Sequence, residues 1–123
     1  MRPFLKCKPL GLHAVLLLAI TSWLSGDEAD IERLFTLKVL PVLSEKCFGC
    51  HGDDPEEIEG GLVMHTLEDI LLGGDGFDNV LVPGEADASF MITAVRWEDP
   101  DYEMPPKEND RLSEQQIWNL ETW

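Results

Sequence analysis

The 123-residue chain carries 9 Lys+Arg against 24 Asp+Glu, but unevenly: residues 1–26 hold Arg2, Lys6 and Lys8 and no acid, which leaves six basic and 24 acidic residues, a formal charge of −18, in the remaining 97. So acidic a body repels phosphate backbones and excludes nucleic acid as a partner. Ninety-seven residues make one domain at most, and with ten glycines and eight prolines in the chain the apolar area left to bury calls for a staple such as a disulfide, a metal or a bound cofactor.

The head reads as an export signal. Arg2, Lys6 and Lys8 form a positive region ahead of a mostly apolar run from Leu10 to Leu24, short for a membrane span. Trp23 and Leu24 stand where a cleavage site expects small side chains. The expectation for residues 1–26 is a removed signal peptide, with an uncleaved membrane anchor as the alternative and the sole route to a membrane. Cys7 precedes the apolar run and reads as a leader residue with no part in the fold. The body, residues 30–123, is expected to work outside the cytoplasm, in the periplasm, where paired cysteines are normal.

Ile31, Leu34, Phe35, Val39, Val42 and Leu43 follow the i, i+3, i+4 pattern of an amphipathic helix, with Asp30 as its cap. Pro41 should kink or restart it, because proline lacks a backbone donor. A turn-rich stretch from Gly49 to Gly61 follows. Thr66 with Asp69 three residues on opens a short helix, and Gly73-Gly74 stops it. A further helix is expected from Ser89 to Trp97, presenting Phe90, Met91, Ala94 and Val95 and ended by Pro100. The last helix has a Ser113 cap, Gln116 completing a capping box, and Leu112 placed to staple against Ile117; Ile117, Leu120 and Trp123 share a face. The fold class is all-α, a small helical domain whose long, glycine-rich connections need something to pack on.

Cys47-Phe48-Gly49-Cys50-His51 supplies it. This is the spacing at which two thiols add to the two vinyl groups of one haem and the next histidine reaches the iron. A redox dithiol would sit in a strand-helix-strand context that is missing here. Zinc held by Cys47, Cys50, His51 and His65 would need adjacent Cys50 and His51 on one tetrahedral ion. A Cys47–Cys50 disulfide would close too small a loop to stabilise much.

The sixth iron ligand comes from Met64, His65, Met91, Met104, water or nothing. Met91 lies on an apolar helix face and reads as core, whereas Met64 and His65 fall in a glycine-flanked segment that reads as surface turn. Met104 is followed by Pro105-Pro106, which stiffen its loop, and stands 53 residues after His51, enough chain to reach the opposite face of the ring. Met104 is the expected ligand.

Phe35, Val39-Leu-Pro-Val-Leu, Cys47-Phe-Gly-Cys-His-Gly52, Gly60-Gly61-Leu62, Val82-Pro83-Gly84, Ser89, Ala94-Val95-Arg96, Met104-Pro105-Pro106 and Leu112-Ser113 through Trp123 together resemble the planctomycete-type cytochrome c domain, a class I-like c-type cytochrome. The resemblance runs from about Asp30 to Trp123. It implies one haem c held through Cys47 and Cys50, with His51 and Met104 on the iron. Members usually stand near the amino end of larger exported proteins and continue past the last helix, so both a stand-alone cytochrome and a shortened chain are expectations here.

The leading functional expectation is electron transfer to a redox partner, without catalysis by this chain. The alternatives are the haem domain of a larger or partner-dependent enzyme, peroxidase-like or electron-feeding, and a haem-stapled module that binds another protein. The acid runs Asp53-Asp54, Glu56-Glu57 and Asp99, Asp101, Glu103 read either as a docking face for a basic partner or as a solvated surface. They lack the ligand spacing of a calcium loop.

Overall fold

The computed structural model of the chain describes residues 27–123, so the basic, apolar head and Cys7 lie outside the described residues. The backbone is helical from residue 27 onward, which puts Asp30 inside the helix and corrects its reading as the cap. Phe35–Val39 is a π-helical segment that passes directly into α1, Leu40–Lys46. The Leu40 N–H reaches back to the Phe35 carbonyl oxygen, the wide turn of a π segment. Pro41 has no N–H to give, so the ladder restarts, with the proline in the first turn of α1 where a missing donor is tolerated. The register change turns Val39, Val42 and Leu43 inward together; Val39 and Leu43 are the largest fully buried side chains.

Cys47, at φ −119°, breaks the helix before the single turn of α2, Phe48–His51. Its carbonyl oxygen accepts from the N–H groups of both Cys50, at 3.1 Å, and His51, at 2.9 Å. The chain then loops back along α2, with the Glu59 N–H on the Cys50 carbonyl and the Met64 N–H on that of His51. Met64 is thereby buried, at 4% exposure, which corrects its reading as a surface turn.

Helix α3, Leu67–Leu72, begins as expected: the Asp69 N–H donates to Thr66 Oγ1 at 3.1 Å, and the hydroxyl donates to the Asp69 carboxylate at 2.6 Å. It stops at Gly73, whose φ of 77° suits glycine. Among the described residues no strand forms; an isolated bridge pairs Gly74 with Phe77.

Helix α4, Phe90–Arg96, starts after a 3₁₀ turn at Ala86–Ala88. Its first donors do not go unpaired, since the Phe90 N–H meets the Asn79 carbonyl and the Met91 N–H that of Val80. Ser89, buried at 2% exposure, takes the Val82 N–H on its hydroxyl oxygen at 2.9 Å. The helix ends at Trp97, as its spacing predicts, with that residue in the left-handed region at φ 62°. Beyond a 3₁₀ turn at Glu108–Asp110, helix α5, Glu114–Thr122, carries the reciprocal bonds of its capping box, Gln116 N–H to Ser113 Oγ and Ser113 N–H to Gln116 Oε1. Leu112 and Leu120 are buried, and Ile117 and Trp123 pack against the same core. Arg96 donates through Nε to Glu121 Oε1 at 2.9 Å, tying α4 to α5.

Candidate functional site

The helices pack round a buried apolar core. Between them lies an open cleft of about 180 Å³. Helix α1 contributes Leu43, α4 contributes Met91, Ala94 and Val95, and α5 contributes Leu120. A second wall is aromatic: Phe77 and Phe90 stack with ring centroids 4.2 Å apart, and Tyr102 meets both edge-on.

Four side chains proposed from the sequence converge here, because Cys47, Cys50, His51 and Met104 all line the cleft. The turn at Cys47 and the single turn of α2 carry the first three. His51 is half-buried, and its Nδ1 lies 3.2 Å from the Leu62 carbonyl oxygen. An acceptor at that position selects the tautomer with the proton on Nδ1, which leaves the Nε2 lone pair free for a metal. Gly52 closes the motif tightly, since a Cβ there would stand 2.5 Å from the Phe48 carbonyl oxygen.

Burial, helped by the neighbouring Cys50, pushes the Cys47 thiol up to about 11. Such a thiol is neutral at pH 7, the opposite of the depressed value an exchanging dithiol needs. The zinc reading also lacks its fourth ligand. His65 is exposed, stacks on Phe48 at 5.9 Å, lies 3.8 Å from an Asp53 oxygen, and does not line the cleft. No cluster of His, Cys, Asp or Glu suited to a metal occurs among the described residues.

Three methionines line the cleft: Met64, Met91 and Met104. Met64 and Met91 are buried members of the apolar core, whereas Met104 is half-buried on a loop. Its N–H donates to the Ala94 carbonyl oxygen at 3.1 Å, and its own carbonyl accepts from Trp97 Nε1 at 3.2 Å. Pro105 and Pro106 follow it along the rim. The cleft's charged lining is Lys46, Glu59 and Asp75. Hydrogen bonding to Glu45 first, and then the charge of Asp110, hold the Lys46 ammonium above the usual lysine value.

Sequence reasoning missed Trp97 and the aromatic wall. Trp97 carries no motif, and its left-handed backbone is legible only in three dimensions. Phe77 and Tyr102 sit in segments with no helical or strand period to mark them.

The donor set and the walls fit a haem: two thiols three residues apart on one turn, an imidazole with a free nitrogen, and a thioether around an apolar cleft. No curated protein and no solved structure matches the chain. The sequence model of a family described as Planctomycete cytochrome C matches residues 47–108, half of the 123. That span starts at the first motif cysteine and takes in every cleft residue named above except Leu43, Lys46 and Leu120. The chain belongs to the planctomycete cytochrome c family.

Proposed function

We propose that the chain is an exported electron carrier holding one haem c, joined by thioethers at Cys47 and Cys50, with His51 and Met104 as the axial ligands. The observation that carries this reading is the convergence of those four side chains on one apolar cleft. Bound haem supplies an iron that takes up and gives back one electron.

The chain's own residues set the terms of that exchange. The Leu62 carbonyl orients the His51 ring, and Phe77, Phe90 and Met91 wall the same cleft. A methionine ligand raises the potential relative to a second histidine, and apolar burial raises it further. The −18 body works the other way, favouring the more positive oxidised iron. Two axial ligands from the chain leave no position for a substrate, which supports a carrier in preference to a catalyst.

Export is supported by the basic, apolar head and by the chemistry of covalent haem attachment. No helix of the described residues is long and apolar enough to cross a membrane, so membrane association would rest on residues 1–26. The partner is a redox protein with a basic contact face, because Glu59 and Asp75 stand at the cleft and the acid runs surround them in sequence.

The test is the mass of the denatured protein exported by a host that matures c-type cytochromes. The expected mass is that of the chain plus one haem, and conversion of Cys47 or Cys50 to serine should leave a single thioether. A chain that denatures free of haem contradicts the reading.

A further inference from the structure

The geometry points to Trp97 as the residue that positions the Met104 thioether, an inference that rests on Met104 being an axial ligand. Both polar groups of the Met104 backbone are bonded to one helix end. Its N–H goes to Ala94, in the last turn of α4, and its carbonyl takes the indole N–H of Trp97, the residue that caps that helix. Ala94 itself lines the cleft, so the loop is fastened beside the place its side chain must reach.

Trp97 is in turn held on every side. Its backbone N–H bonds to the carbonyls of Thr93 and Ala94. The Arg111 guanidinium lies 4.5 Å from the ring centroid and donates from Nη2 to the Arg96 carbonyl oxygen at 3.4 Å. Among the described residues Trp97 is the one non-glycine with positive φ, at 62°. Glycine is the ordinary occupant of such a helix end and makes the same turn without strain. What tryptophan adds is the indole N–H, and the indole N–H is on Met104.

The consequence is kinetic and thermodynamic control of the sixth ligand. Lifting of the loop would break the indole bond and carry the thioether away from the place where it would hold an iron. Removing that donor therefore raises the population with an open iron, without touching attachment at Cys47 and Cys50. One net hydrogen bond corresponds to roughly a three- to tenfold change.

The ferric holoprotein is titrated with imidazole in the parent, Trp97→Phe and Trp97→Gly. Phenylalanine keeps an aromatic ring under Arg111 but donates nothing; glycine relieves the backbone and removes the ring. Both variants should keep the parent's haem content and sulfur-to-iron charge-transfer band, and should bind imidazole roughly three- to tenfold more tightly because the thioether competes less well. A structural role alone is met by the phenyl ring, so Trp97→Phe at the parent's imidazole affinity overturns the proposal. If Trp97→Phe does not assemble, Trp97→Gly decides by the same measure. A parent that lacks the charge-transfer band overturns the Met104 assignment instead, a result distinct from unchanged variants of a banded parent.

Discussion

The Trp123 ring rests on Phe35, with centroids 5.0 Å apart and planes tilted by 32°. This contact brings the end of α5 against the π segment Phe35–Val39 and so ties the wall carrying Leu120 to the wall carrying Leu43. Helix α4 joins them through Arg96 and Glu121.

Because Trp123 is half-buried and pairs with a single ring, Trp123→Ala should cost roughly 2 kcal/mol, less than the ~3–5 kcal/mol of a fully buried aromatic. Denaturant unfolding of the haem-loaded protein measures it. A midpoint equal to the parent's would mean that the contact does not brace the cleft.

Gly73 is the most constrained turn position. Its φ is 77°, and a Cβ there would stand 2.1 Å from the Phe77 carbonyl oxygen, the acceptor of the Gly74 N–H. Gly73→Ala should therefore destabilise by at least about 3 kcal/mol through backbone displacement. Gly49→Ala, where a Cβ meets nothing within 4 Å inside helix α2, should be neutral or stabilising by about 0.5–1 kcal/mol. Equal effects of the two substitutions on the thermal midpoint would contradict this account.

The walls of the cleft are apolar. A bound ring would add apolar contact along Leu43, Met91, Val95 and Leu120 and give the glycine-rich connections a surface to pack on. Replacing both Cys47 and Cys50 by serine should give a chain that is largely unfolded or quickly degraded in the periplasm. Circular dichroism and a melting curve are the readout; full helical content with a cooperative melt would refute the staple.

The parts of the fold legible in the sequence are those decided by near neighbours. Thr66 with Asp69, and Ser113 with Gln116, form bonds three residues apart, and those bonds are present. The spacing of Cys47, Cys50 and His51 is equally local. Tertiary partners overrode the local signals elsewhere. Pro41 marks the restart of the helix, but the π turn before it, which buries Val39 and Leu43 together, has no local signal. The left-handed backbone of Trp97 goes with an indole bond to Met104, seven residues on, and a stack with Arg111, neither of which a local pattern marks. Met64 looks like a turn residue until the bond from its N–H to the His51 carbonyl carries it under α2.

Acid at the cleft mouth makes an electrostatic prediction. Glu59 and Asp75 are exposed and line the cleft, and exposed charges act over a screening length of about 10 Å at 0.1 M salt. Reduction by a small cationic donor should slow as salt rises, and reduction by an anionic donor should quicken. Rates flat in salt for both donors would remove the case for a basic partner.

The central claim is that Met104 completes the iron's coordination opposite His51. The most direct measurement is the absorption spectrum of the ferric exported protein beside that of Met104→Ala. The parent should be low-spin with a sulfur-to-iron charge-transfer band; the variant should keep its covalent haem, lose the band, show a lower potential and admit cyanide. A high-spin parent, or a variant whose band and potential match the parent's, would contradict the claim, the second result transferring the role to Met64 or Met91.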